Sequence, residues 1–150
     1  MSRISKHEYY LNIANAVALR STCLRRHYGC VIVKNDEIIA TGYNGAPRGC
    51  ANCCDIYTSC PRKNKTHNSG DYSDCPAVHA EQNAMLSASR QEMIGATLYL
   101  SGMECLDDGT CVPLTENKPC PICMRMIRNS GIATIVTPEA TYSVFDKRLM

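Results

Sequence analysis

The run YGCVIVK (residues 28–34), the pair Asn35-Asp36 and the run EIIATGY (residues 37–43) decide how this chain folds. Both runs are β-prone, and a two-residue polar break between such runs predicts an antiparallel hairpin. Cys30 falls on the inward side of the alternation and is expected in the core. Upstream, Ser5-Lys6-His7-Glu8 is a capping-box pattern, with Ser5 as cap and Glu8 reaching back. Tyr10, Ile13, Ala14, Val17 and Ala18 follow at helical spacing, predicting a helix to about Ser21. Downstream, residues 44–76 are rich in Gly, Pro, Asn, Ser, Asp and Cys and carry no period. A structureless segment of that length needs something to pin it. Cys50, Cys53, Cys54, Cys60 and Cys75, with Cys23 just upstream of the hairpin, are available for that task.

A second helix is expected from about Ala77 to Arg90, with Ala80, Ala84 and Ala88 on one face. Ala96 to Ser101 reads as a short strand, and residues 102–118 as a further irregular stretch. A third helix should start at Pro121 and stop at Gly131, before a last strand from Ile132 to Val136. The order α-β-β-α-β-α-β predicts an α/β layered fold, antiparallel at its start and with crossovers afterwards. No repeat, low-complexity tract or linker divides it, so residues 1–150 are expected to form a single domain.

The 150 residues suffice for one sizeable core. With 16 Lys and Arg against 14 Asp and Glu the net charge is +2, and no basic stripe is apparent. That argues against tracking a nucleic-acid backbone. The longest apolar run near the N-terminus, Ala16 to Leu19, is too short for a secretory signal or a membrane span. The expectation is a cytoplasmic chain, or one in the host cytoplasm if the source is viral, without a nucleic-acid or membrane partner. In that reducing compartment its 11 cysteines are expected to stay as thiols and to gather at metal sites. Zinc is the metal to expect.

Two segments carry the chemistry. PAVHAE (residues 76–81) opens the second helix and PCPIC (residues 119–123) opens the third. His79, Cys120 and Cys123 are ligands that suit Zn²⁺ and leave its fourth position open. Cys120 and Cys123 lie three apart, so both sulfurs face one side of a first helical turn, whose positive end favours thiolate. Glu81, two residues past His79, can reach a water on the metal, where Zn²⁺ lowers the pKa of that water toward about 7. The pattern H-x-E…P-C-x-x-C is a signature of zinc-dependent nucleobase deaminases. A lone Cys-x-x-Cys could equally be half of a structural site; the glutamate, the helix starts and the chain order together argue for a catalytic one.

These segments, with RSTC (residues 20–23), RHYG (26–29), GYNGAPRG (42–49) and HAEQNA (79–84), resemble the deoxycytidylate (dCMP) deaminase family over nearly the whole chain. The resemblance implies a cytidine deaminase-like three-layer α/β/α sandwich with a mixed sheet of about five strands. It implies hydrolysis of dCMP to dUMP and ammonia, supplying dUMP for thymidylate synthesis. His79, Cys120 and Cys123 would hold zinc, and Glu81 would take a proton from the water and deliver one to N3 of cytosine. The Ala80 N–H would hold the base's O2, Asn44 the 3′-hydroxyl, and Tyr142 would close over the base. Arg26 would take the 5′-phosphate, since a guanidinium matches phosphate oxygens bidentately. The family further implies a homohexamer activated by dCTP with Mg²⁺ and inhibited by dTTP, with Gly45 and Arg48 in the effector loop.

Two departures stand out. Residues 102–118, with Cys105 and Cys111, exceed the short connection of smaller members, which leaves dCTP open as an added or alternative substrate. Some relatives hold a second, structural zinc with cysteines matching Cys23 and Cys53, but no His or Glu stands here at the completing positions. A second closed site of Cys23, Cys53 and Cys75, with Cys60 or His67 fourth, competes with a reading of these as plain thiols. Free cytidine and adenosine in tRNA are further substrate alternatives, and a non-catalytic zinc-stabilised binding module is the alternative outside enzymes. Glu81 separates that last reading, because a structural site has no use for a carboxylate beside an open metal position.

Overall fold

In the computed structural model, which describes residues 1–146, the hairpin forms around Asn35 and Asp36. Both take positive φ, 52° and 61°, the left-handed pair that a two-residue hairpin turn requires. The strands are β1 (Arg26–Lys34) and β2 (Glu37–Tyr43), preceded by α1 (Lys6–Ala18), whose cap Ser5 accepts from the Glu8 N–H at 3.1 Å. After them come α2 (Cys53–Ile56), α3 (Ala80–Leu86), α4 (Arg90–Met93), β3 (Thr97–Cys105) and β4 (Cys111–Pro113). The described chain closes with α5 (Pro121–Ser130), β5 (Thr134–Val136) and β6 (Thr141–Ser143). The sheet runs β2-β1-β3-β5-β6, with β4 paired to β3 alone. Only β3 and β5 are parallel, joined through α5; every other pair is antiparallel.

Alternation along β1 explains the layers. Cys30 and Ile32 enter a cluster with Ala80, Ala84, Leu98, Leu100 and Ile127. Val31 and Val33 point the other way, onto Tyr10, Ala14, Tyr99 and Val136. The sheet is thus covered on both faces, by α1 on one and by α3 and α5 on the other. The largest fully buried side chains, Ile32, Leu98, Leu100, Ile127, Ile132 and Ile135, all belong to the α3/α5 side. Each such residue contributes roughly 1.5–3 kcal/mol on burial, so the two helices that carry PAVHAE and PCPIC rest on the heaviest part of the core. Close approach is set by glycine. A Cβ on Gly29 would overlap the Ala14 carbonyl of α1, and one on Gly42 would overlap the Ala80 carbonyl and Ala84 amide of α3.

Several expectations change. The second helix begins at Ala80, not Ala77, because Val78 and Gly45 exchange backbone hydrogen bonds of 2.8 and 3.1 Å and hold that stretch extended. It also ends early, since Ser89 and Glu92 form a fresh capping box that starts α4. Residues 102–118 are less irregular than their composition suggests: β3 runs on to Cys105 and turns back through β4. Cys105 and Cys111 form a disulfide across that hairpin, so the expectation of thiols throughout fails for one pair. The long segment 44–76 is pinned chiefly by Arg62, which is only 4% exposed. Its guanidinium lies 4.0 Å over the Tyr72 ring and reaches the Asp71 carbonyl, Ser69 Oγ at 2.9 Å and Asp74 Oδ1 at 3.2 Å. Arg25 adds bonds to the Arg62 and Lys65 carbonyls at 2.9 and 3.0 Å.

Candidate active site

Two helix starts meet at the site. His79 is the residue before α3, held extended by the Gly45–Val78 bridge, with its N–H donating to Gln82 Oε1 at 2.8 Å. Cys120 caps α5, its Sγ accepting from the Cys123 N–H at 3.4 Å, with Pro121 at the first helical position. The Nδ1 of His79 then stands 3.5 Å from Cys120 Sγ and 3.3 Å from Cys123 Sγ. All three ligand atoms lie within 4.8 Å of one another. One imidazole nitrogen and two sulfurs form the donor set that zinc favours, and three ligands leave a coordination position open.

Charge is distributed unevenly among them. Cys120 is held down to about 4 by the hydrogen bond from the Cys123 thiol, helped by His79 and opposed by burial. Cys123 is pushed up by that same bond and by burial, so the metal-free pair shares one thiolate, on Cys120. That thiolate raises His79 in turn. Glu81 is 5% exposed, and burial raises its carboxyl above the ordinary range. A raised carboxyl is suited to exchange protons near neutral pH. In the metal-free chain at pH 6, iodoacetamide should therefore label Cys120 ahead of all other thiols. Cys23, pushed by burial to about 12, and fully buried Cys30 should be last. Peptide mapping checks the order; equal labelling of Cys120 and Cys123 would contradict a localised thiolate.

His79 and Cys120 open into a cavity that is also lined by Glu81, Ala80, Asn44 and Arg26, with Cys123 buried behind them. Ala80 is the first residue of α3, where intrahelical bonding leaves the N–H free. Asn44 is buried and already used, its Oδ1 accepting from Tyr28 N at 2.8 Å and its Nδ2 donating to the Arg26 carbonyl at 2.9 Å. Arg26 bonds Tyr28 Oη at 3.3 Å and lies 3.9 Å from Glu104, while its Nε is buried with no hydrogen-bond partner. Sequence reasoning missed Arg25, Arg62, Lys118 and Tyr72 on the cavity wall. For Arg62 the available signal is the basic run Arg62, Lys63 and Lys65 standing shortly before Asp71 and Asp74 within one polar segment.

Other expected residues are placed differently. Tyr142 sits on β6 opposite Ile135 and packs against the core cluster, and is not among the residues lining the cavity. Cys23, Cys53, Cys60 and Cys75 lie within electrostatic reach of one another. Among the described residues, however, no three of them bring ligand atoms within 4.8 Å, whereas the His79 trio and a His27, Cys105 and Cys111 trio do. His67 lines the same cavity as Cys23, Cys60 and Cys75 and is within electrostatic reach of Arg26, Arg25, Cys120 and His79. Gly45 is fixed by its bridge to Val78, and Arg48 is exposed beside it.

Residues 4–139 match the family described as the cytidine and deoxycytidylate deaminase zinc-binding region. A deoxycytidylate deaminase of Mycobacterium phage D29 is 41% identical over 145 residues, covering 93% of this chain and 98% of that one. The deoxycytidylate deaminase of Schizosaccharomyces pombe is 44% identical over 118 residues, 76% of this chain, but the match spans only 35% of that longer protein. Among solved structures, the dCMP deaminase of cyanophage S-TIM5 in complex with dCMP and dUMP superposes with a TM-score of 0.62 at 26% identity. That match covers 90% of this chain and 83% of the other.

Proposed function

The chain belongs to the cytidine and deoxycytidylate deaminase family and is a hydrolase of the dCMP deaminase kind; on that premise we propose that it converts dCMP to dUMP and ammonia with one zinc ion held by His79, Cys120 and Cys123. The observation that carries this reading is the convergence of those three ligand atoms beside a cavity that buried Glu81 also lines. A bound zinc ion supplies Lewis-acid activation of water at its open position. Glu81 receives the first proton that the water gives up and passes it to N3 of cytosine; it then carries the second, from the hydroxyl added at C4, to the exocyclic amine, so that C4=O forms, the C4–N bond breaks and ammonia leaves. The Ala80 N–H orients the base through its O2.

The phosphate end of the cavity is cationic. Arg26, whose Nε makes no hydrogen bond and stands 3.9 Å from Glu104 Oε1, takes the 5′-phosphate, and Arg25 and Lys118 line the same cavity. Asn44 positions Arg26 by holding its carbonyl, and has one N–H and one lone pair left for the 3′-hydroxyl. The complex of the cyanophage enzyme with dCMP and dUMP supports a nucleotide substrate. We carry the finer family features as part of the same reading: a hexamer, activation by dCTP with Mg²⁺, inhibition by dTTP, and effector contacts at Gly45 and Arg48. A second zinc is not part of it, since the Cys23 group would have to draw together first.

Ammonia release from dCMP, dCTP, deoxycytidine and cytidine tests the assignment. We expect dCMP to be turned over fastest, deoxycytidine at least tenfold more slowly in kcat/KM, and the dCMP rate to rise with dCTP and Mg²⁺ and fall with dTTP. Preference for dCTP as substrate would move the phosphate assignment from Arg26 alone to the Arg25–Lys118 wall.

A further inference from the structure

The disulfide between Cys105 and Cys111 stands apart from the catalytic trio, and its two sulfurs are not equivalent. Cys111 lies on β4, whose three residues are all exposed. Cys105 is half-buried at the end of β3, its Sγ 3.5 Å from His27 Nδ1. The other ring nitrogen of His27, Nε2, lies 2.7 Å from the Cys23 backbone oxygen. A carbonyl only accepts, so Nε2 carries the proton and Nδ1 turns its lone pair toward the sulfur. A disulfide sulfur has no proton for that lone pair, whereas a thiol does. The oxidised state leaves the imidazole unsatisfied on that side, and the reduced state gives it an S–H donor.

The hairpin leads straight into the catalytic cavity. Beyond β4, Leu114 N–H donates to the Gly102 carbonyl at 3.1 Å. Buried Asn117 is tied to Glu139 Oε1 at 2.7 Å, Lys118 lines the cavity, and Cys120 follows. β4 adds only three exposed residues to the sheet, paired to β3 alone, so few buried contacts besides the disulfide hold it there.

We propose that Cys105, Cys111 and His27 form a thiol–disulfide exchange site for a thiol reductant, and that its state sets the mobility of residues 106–118. A thiolate of the reductant attacks exposed Cys111 Sγ, the S–S bond breaks, and Cys105 leaves and is protonated, its S–H then donating to His27 Nδ1. A second reductant thiolate attacks the reductant's sulfur in the mixed disulfide and releases Cys111, which takes up a proton as a thiol. Two electrons and two protons pass to the cysteine pair, and the reductant departs as a disulfide. The site stands independently of which nucleotide the cavity accepts.

The test uses the full chain with its metal bound, equilibrated in glutathione buffers from oxidising to reducing. Acid-trapped thiols are counted on the 105–111 peptide, and amide exchange is followed over residues 106–118. The expected result is full conversion of the pair between states, with exchange over residues 106–114 at least tenfold faster when reduced. Cys105→Ser/Cys111→Ser should exchange at the fast rate in both buffers. In a fixed glutathione buffer, His27→Ala should move the balance about two- to tenfold toward the disulfide, the worth of one lost hydrogen bond. A pair that stays as thiols under oxidising glutathione, identical exchange in both states, or a balance untouched by His27→Ala would each overturn the proposal.

Discussion

Glu81→Gln should lower kcat for dCMP by about 10²–10⁴-fold or more while zinc content and fold are retained. The carboxyl is 5% exposed and does not belong to the ligand trio, so the isosteric amide fills its place but cannot carry a proton. A second consequence concerns stability without metal. Burial raises the Glu81 carboxyl above its unfolded value, so the native state binds more protons than the unfolded chain between those two values. Its contribution is therefore whole below the ordinary carboxyl range and is lost as pH rises through the raised value. The metal-free Glu81→Gln variant has no such proton to lose. Its thermal midpoint should stay flatter with pH and exceed that of the parent at neutral pH. Undiminished turnover in this variant would remove Glu81 from the mechanism.

His79→Ala and Cys123→Ala should abolish zinc-dependent stabilisation along with activity. A ligand that binds only the native state stabilises by about 4 kcal/mol when free zinc is a thousandfold above its Kd. At 2–4 °C per kcal/mol for a domain of this size, that is roughly 8–16 °C in Tm. The parent should show a rise of that order on zinc addition and the variants almost none. Cys123 is fully buried in the α5 face of the core, so its variant loses packing as well; half-buried His79 gives the cleaner measurement. A full zinc-induced rise in His79→Ala would show that the ion is held elsewhere, for example by the Cys23 group.

Much of this was legible in the sequence, for reasons that differ by region. The hairpin was readable because Asn35-Asp36 is turn chemistry between two β-prone runs, and the strands came out at Arg26–Lys34 and Glu37–Tyr43. The grouping of His79, Cys120 and Cys123 is legible because helix starts place side chains at fixed offsets, and the structure brings those three atoms together. What escaped depended on tertiary partners. The local pattern places Val78 in a helix because its pairing with Gly45, 33 positions away in the chain, has no local signature. The polar segment 44–76 suggests pinning by its cysteines; the buried arginine over Tyr72 that also holds it has no local signature. Tyr142 was aimed at the base from family likeness alone, and β6 turns it onto the core. Cys105 and Cys111 were six apart in a stretch without period, and only their cross-strand register makes them a pair.

The most direct test is to strip the chain of metal and restore zinc stepwise, following ammonia release from dCMP and bound zinc in the same samples. The account predicts no turnover at the start, a rise in proportion to zinc bound, and saturation at one ion per chain. Full zinc loading without ammonia from dCMP would contradict it.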